Sequence, residues 1–176
     1  MLRIAPQIET DRLRLNGHQP GDFEAVAAMW SDPDVVRFIG GRPSTREESW
    51  ARLLRYAGSW AMLGQGFWTF RDKASGAYLG EGGLLKGQRS LGTEFDATSE
   101  VGWALTPSAQ GHGYASEAVG AILDWADAQG IERTVCLIEP SNGASIRLAE
   151  RLGFRQYDST VYHGAQVNLY ERSVTR

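Results

Sequence analysis

The stretch from Glu100 to Ala126, EVGWALTPSAQGHGYASEAVGAILDWA, constrains this chain more than any other. Val101, Trp103 and Leu105 alternate with Gly102 and Ala104, the period of a pleated strand. Pro107 has no N–H to give to a ladder, so the strand must stop there. Gly111 and Gly113 turn the chain and leave backbone N–H groups without side-chain cover. Beyond them Ala115, Ala118, Val119, Ile122, Trp125 and Ala126 recur at helical spacing opposite Glu117, Asp124 and Asp127, which predicts a helix from Tyr114 to Gln129. Bare amides beside the positive end of a helix dipole form an anion site, suited to a phosphate or pyrophosphate. A tight loop that uses its glycines only to turn is the other reading.

Elsewhere TDRLRLNGH predicts a first strand with Leu13 and Leu15 on one face. A helix follows, with Asp22 as N-cap, Phe23, Val26, Ala27 and Trp30 on its stripe, and a break near Asp32-Pro33. Ser44 stands three residues before Glu47, a capping-box pattern, and opens a second helix carrying Trp50, Leu53, Leu54 and Ala57. Gly64 and Gly66 end it. Two strands flank Ala74-Ser75-Gly76, and QRSLGTEFDATS reads as a polar loop. After the glycine-turn helix come a buried strand, RTVCLIEP, a helix, SNGASIRLAERLGF, with Gly153 and Phe154 at its C-cap, and a hairpin, QYDSTVYHGAQVNLYERS. Paired strands with helices between them predict an α/β or α+β fold on a mixed sheet with at least one parallel step. With no repeat and no linker, residues 1–176 are expected to form one domain.

A formal charge of -3 leaves no surplus of cations, so neither nucleic acid nor an anionic membrane surface is expected as a partner. A phosphate must be held locally. Cys136 stands alone, which allows no intramolecular disulfide, offers no metal-site spacing and fits a reducing cytoplasm. The amino-terminal stretch MLRIAPQIETDRLRL lacks a leader's apolar core, and no window approaches the roughly 18 apolar residues of a membrane span. A P-loop needs Lys and then Ser or Thr after its second glycine, whereas Tyr114 and Ala115 follow Gly113. A dinucleotide fingerprint admits Ser116 as its third small residue, but its ribose-binding acid belongs about 20 residues on, where GIERTVC offers Arg133. No acidic run marks a polyamine pocket and no arginine cluster marks a carboxylate pocket.

QGHGYA, Gln110 to Ala115, matches the Gln/Arg-x-x-Gly-x-Gly/Ala signature of the GCN5-related N-acetyltransferases (GNAT), and NGASIRLAERLGF resembles their second signature helix. With EVGWAL, TDRLRL and DPDVVRFIGG, the resemblance covers nearly the whole chain and points to the RimJ/RimL-like branch. It implies a mixed, mostly antiparallel sheet with a splayed central parallel pair, flanked by about four helices. It also implies acetyl-CoA as co-substrate, an amine acceptor, no metal and no membrane, and it is compatible with a homodimer. By that resemblance the pyrophosphate sits on the N–H groups of Gln110, Gly111, His112, Gly113, Tyr114 and Ala115. Pantetheine lies along Trp103, Ala104 and Leu105, with TVCLIEP as the opposite wall. His112 departs from the Lys or Arg often found in that loop.

Asn142 is implied to bond the pantetheine arm near its reactive end, while its place after Glu139-Pro140 is equally an N-cap pattern. Many relatives carry a tyrosine acid where this chain has Ala149; RimL-like members use a serine one turn after the asparagine, which makes Ser145 the implied acid or thiolate donor. Glu100 is the implied base and Glu81 the second choice, with backbone N–H near Leu105 for the oxyanion. An α-amine, with a pKa of about 7.7 to 8.0, needs little help to lose its proton. Trp50, Trp60, Trp68 and Tyr56 fall in segments that flank the acceptor cleft in relatives, or else fill the core. Where RimL-like enzymes carry an acid or a histidine near the C-terminus, this chain has Gln166 and Val167. The implied reaction moves acetyl from acetyl-CoA to a primary amine of a small molecule, amino acid or peptide N-terminus by direct attack in a ternary complex. A non-catalytic acyl-CoA-binding sensor and a nicotinamide-nucleotide protein are the rival readings.

Overall fold

A computed structural model describes residues 4–174, so the first three residues of the amino-terminal stretch lie outside the described residues. Strands β1 (Ile8–Glu9) and β2 (Leu13–Gly17) lead into helices α1 (Phe23–Trp30), α2 (Pro33–Val36) and α3 (Arg46–Leu63). Then come β3 (Phe67–Asp72), β4 (Tyr78–Leu85), α4 (Thr93–Ala97), β5 (Ser99–Leu105) and α5 (Tyr114–Ala128). The chain closes through β6 (Arg133–Ile138), α6 (Gly143–Arg151), β7 (Arg155–Tyr162) and β8 (Ala165–Ser173). One eight-stranded sheet runs in the order β1-β2-β3-β4-β5-β6-β8-β7. It is antiparallel except between β5 and β6. Six helices stand where about four were expected, because α2 and α4 are short pieces of four and five residues. The Asp32-Pro33 break hides the first, which Asp32 caps by accepting from Asp34 N at 2.8 Å. The second sits inside the segment read as a loop and is anchored by buried Phe95.

Helix α5 packs its apolar stripe on the sheet. Ala118, Val119, Ile122 and Ala126 are fully buried with Leu13, Leu15, Phe70 and Leu84. Each Val or Ile removed from water in this way contributes about 1.5–3 kcal/mol. Trp60, Trp68 and Trp125 meet edge to face at 4.6, 5.2 and 5.4 Å, which assigns these indoles to the core. Trp50 instead lies outside, edge-on to Phe23 at 5.1 Å.

Two helix starts differ in detail from the sequence reading. Asp22 stands at the N-cap position of α1, as read, but its side chain makes no capping bond: the carboxylate accepts from Gln19 N at 2.7 Å and from Arg71 of β3, a partner distant in sequence. The capping box of α3 is Thr45 with Glu48, one residue beyond Ser44 and Glu47. Glu48 has the stronger claim because Arg42 also binds it, and that hydrogen bond, with the Thr45 N–H, lowers its pKa to about 2.

The parallel pair β5–β6 is short. Ser99 pairs with Thr134 and Glu100 with Val135, and there the ladder ends. Strand β6 continues bonded to β8 through Ile138, while β5 continues bonded to β4 through Leu105. The two strands therefore splay, as expected, and the β6-facing edge of β5 from Val101 to Leu105 has no strand partner. Among the described residues no helix is long and apolar enough to cross a membrane, and no cluster of three or more His, Cys, Asp or Glu could hold a metal ion.

Candidate active site

A 3-10 turn at Pro107–Ala109 ends β5, and Gln110 leaves it extended. Gly111 and Gly113 follow with φ of 78° and 79°, the left-handed region that a side chain disfavours. Gly113 caps α5 without any side-chain hydrogen bond, so the first-turn amides of Tyr114, Ala115 and Ser116 keep their hydrogens for a ligand. Gln110, Gly111, His112 and Gly113 are exposed, so the turn is open.

Arg12, which the sequence did not single out, braces this turn. Its Nε and backbone N donate to Glu117 at 2.7 and 2.8 Å, and its Nη1 donates to the His112 carbonyl at 2.9 Å. The guanidinium also lies 4.5 Å from the Tyr114 ring centroid. Thr10 Oγ1 donates to Glu117 at 2.6 Å. Burial works to raise the Glu117 pKa, but the bonds from Thr10 and Arg12 outweigh it and hold the carboxyl below its ordinary value.

Two cavities flank the splayed strands. The first, about 390 Å³, is bounded by the β5 end (Trp103, Ala104, Leu105), by Gln110, Gly111 and Gly113 to Ser116, and by α6. Arg147 and Arg151 of α6 line it, and among the described residues neither has a carboxylate partner. These two are the local cations that the chain's overall charge concealed. His112 is absent from the lining; its carbonyl is engaged by Arg12 and its ring lies 6.1 Å from that of Tyr114. The second cavity, about 720 Å³, opens between β5 and β6 and is walled by Cys136, Leu137 and Ile138 opposite Val101 to Ala104, with α3 on a third side. Both cavities share Trp103, Ala104, Asn142 and Ser145, and also Phe38 and Ile39 beyond α2, so they meet where β5 passes the start of α6.

At that junction Trp103 Nε1 donates to Ser145 Oγ at 3.3 Å. Asn142 caps α6, its Oδ1 accepting from Ser145 N at 3.2 Å, and also faces both cavities, so the two readings of this residue are compatible. Glu100 is not an exposed strand end: it is 4% exposed on the second cavity, with its oxygens accepting from Arg89 Nε and Nη2 at 2.5 and 2.8 Å. Burial opposes the Arg89 charge, yet the bonds to Glu100 win and hold its pKa above the ordinary arginine value. Glu81 is not brought to either cavity. It is wholly buried, accepting from Trp30 Nε1 at 2.7 Å and Tyr78 Oη at 2.9 Å and bonded to His18 Nε2 at 2.9 Å. Ala149 is buried in the core and lines neither cavity. Cys136 lines the second cavity, and burial, with the Glu100 charge, pushes its pKa up and keeps it a neutral thiol. Val167 lines the same cavity and Gln166 does not, whereas His163, from the β7–β8 turn, does.

Comparison with known proteins agrees with this geometry. A family model described as an acetyltransferase (GNAT) domain matches residues 12–155. The uncharacterized protein YkkB of Bacillus subtilis (strain 168) is 28% identical over 174 residues, covering 94% of this chain and 95% of YkkB. A Bordetella pertussis structure assigned to the GnaT acetyltransferase family superposes with a TM-score of 0.87 at 37% identity, over 96% of this chain and 100% of that one. A RimL ribosomal L7/L12 alpha-N-protein acetyltransferase in complex with coenzyme A shares the fold, with a TM-score of 0.77 at 17% identity over 96% and 98% of the two chains. The chain belongs to the GNAT acetyltransferase family. It is an N-acetyltransferase of that family, with acetyl-CoA as co-substrate.

Proposed function

We propose that this enzyme carries acetyl from acetyl-CoA to a primary amine by direct attack in a ternary complex, with the first cavity taking the coenzyme and the second the acceptor. The observation that carries this reading is the meeting of the two cavities at Trp103, Ala104, Asn142 and Ser145. The amides of residues 111–115, with Arg147 and Arg151 nearby, suit a diphosphate, whereas the Gln110 N–H is already given to the Pro107 carbonyl at 3.3 Å. The unpaired edge of β5 suits the amides of an extended arm, and its N–H groups near Leu105 suit a developing oxyanion. Bound acetyl-CoA supplies the activated thioester. Asn142 positions the arm, and Ser145 directs its hydroxyl proton to the departing sulfur while Trp103 occupies one of its lone pairs. Glu100 holds Arg89 at the acceptor end, and the amine loses its proton largely on its own pKa, through water.

Thiol release from acetyl-CoA, followed with a panel of amines and checked by mass spectrometry for the acetylated product, tests this reading. Turnover by the wild type that disappears in Gly113→Trp supports it. Coenzyme A binding without thiol release for any amine would overturn it.

A further inference from the structure

Several of this fold's arginines are used up in ion pairs. Arg12, Arg71, Arg89 and Arg172 each face a carboxylate within 3 Å. Arg52 and Arg55, one turn apart on α3, do not: both line the second cavity, and among the described residues neither has a carboxylate partner. Arg52 is nonetheless fixed. Its guanidinium lies 3.7 Å from the Trp30 ring centroid, and Nη1 donates to Ser44 Oγ at 3.1 Å. Trp30 is itself held by Glu81 at 2.7 Å, so the cation rests on an immobile indole with its remaining N–H groups free. Arg55 lies 5.3 Å from the ring centroid of Tyr56, which is stacked on Phe67 at 4.3 Å.

The balance of charge across the cavity points the same way. Arg89 and Glu100 neutralise each other. Arg52, Arg55 and Lys86 then remain against Glu139 alone, in a chain whose formal charge is -3. Burial pulls the Lys86 pKa down, and its Nζ donates to the Ala97 carbonyl rather than to a carboxylate. Arg52 and Lys86 are partly buried and Arg55 is exposed, and cations left without a carboxylate at a cleft favour an incoming anion and repel a polycation.

We propose that Arg52 and Arg55 form a carboxylate subsite, so that the acceptor is an amine that also carries a carboxylate. This rests on the transferase reading for the cavity's role as acceptor cleft. The planar guanidinium of Arg52 matches a carboxylate through paired N–H bonds. The carboxylate belongs either to a free amino acid or to an acidic side chain beside a peptide N-terminus.

The test is steady-state thiol release by the full chain with matched acceptors: an amino acid and its carboxamide, a peptide with an acidic second residue and the same peptide with the amide, and a polyamine. Each carboxylate form is expected to exceed its amide about tenfold or more in kcat/KM, and the stronger pair identifies the source. Arg55→Ala and Arg52→Gln, with melting temperatures checked, are expected to raise KM for the carboxylate acceptor by about tenfold and to leave KM for acetyl-CoA unchanged. Arg52→Lys should recover part of that loss. Preference for an amide or the polyamine, or equal loss for both members of a pair, overturns the subsite. Calorimetric titration of the coenzyme A complex with the same pairs reads the subsite without turnover. Heat with the carboxylate that vanishes in Arg52→Gln supports it, and no heat with any carboxylate overturns it. Carboxylate binding without thiol release would sink the transferase reading while leaving the subsite standing.

Discussion

Trp103 Nε1 donates to Ser145 Oγ across 3.3 Å, tying the opened strand β5 to the first turn of α6. The bond occupies one lone pair of the hydroxyl and leaves its proton to be given elsewhere. Ser145 N donates in turn to Asn142 Oδ1, so one residue closes the helix and presents a donor where the two cavities meet. A ladder between β5 and β6 that ran the full strand would fill this space. The early end of that ladder at Glu100 and Val135 is what makes a site possible.

Ser145→Ala removes the donor and keeps the Asn142 cap, which uses the backbone N–H. A hydrogen bond to developing charge contributes about 1.5–3 kcal/mol, so kcat should fall roughly 10- to 100-fold with KM for acetyl-CoA nearly unchanged. Trp103→Phe, which only frees the hydroxyl to reorient, should lose less. Steady-state thiol release decides, and an unchanged kcat in Ser145→Ala would remove the serine from the chemistry.

Gly113→Ala places a Cβ at a φ of 79°, 3.4 Å from Arg12 Nη2, an ordinary van der Waals contact. The cost is therefore backbone strain of about 1–2 kcal/mol rather than collision. Gly164, also at 79° but in the β7–β8 turn with open space around it, is the control. Both alanine variants should lose similar stability in thermal melts, while only Gly113→Ala should weaken coenzyme A binding, by roughly 5- to 30-fold in calorimetry. Equal affinity in the two variants would mean that the turn only turns.

How much of this was legible in the sequence depended on how local the cause was. The glycine turn and α5 were read nearly to the residue, because Gly113 and Gly130 enforce left-handed backbone at the two ends whatever surrounds them. Asp22 holds the N-cap position expected of it, but its carboxylate bonds Gln19 and Arg71 rather than the helix, and Arg71 arrives from another strand. STREE offers two overlapping capping boxes, and Arg42 decided between them. No arginine cluster was visible either: Arg52 and Arg55 share a helix face, but only the fold brings Lys86 and Arg89 from beyond β4 to the same cavity. Glu81 resembled a spare base in the sequence, and His18 and Trp30 from distant segments, with Tyr78 of its own strand, have claimed it.

Glu100→Gln separates a free base from a partner of Arg89. The pair is mostly buried, with side-chain exposures of 23% for Arg89 and 6% for Glu100, and losing one charge strands the other. We expect a loss of about 3 kcal/mol, near the low end for buried pairs because Arg89 keeps some contact with water. At this chain length that amounts to a fall of roughly 6–12 °C in Tm. Residual kcat should keep the wild-type pH profile. A stable variant whose activity returns only at high pH would instead make Glu100 the base.

Glu117 gives the fold a pH dependence of known sign. Its folded pKa lies below the ordinary 4.5, because the bonds from Thr10 and Arg12 outweigh the cost of burial. The stability it contributes is therefore fully present above 4.5 and is lost as pH falls through the lowered folded value, since the unfolded chain takes up the proton first. Glu117→Gln keeps the shape and removes the charge. The variant should be less stable than the wild type at neutral pH, with the gap closing as the pH is taken down to about 3 in urea denaturation. Arg12 links this carboxylate to the His112 carbonyl, so the same variant should loosen the glycine turn and weaken coenzyme A binding at neutral pH. A stability gap that stays constant across the pH range would show that the charge of Glu117 contributes nothing.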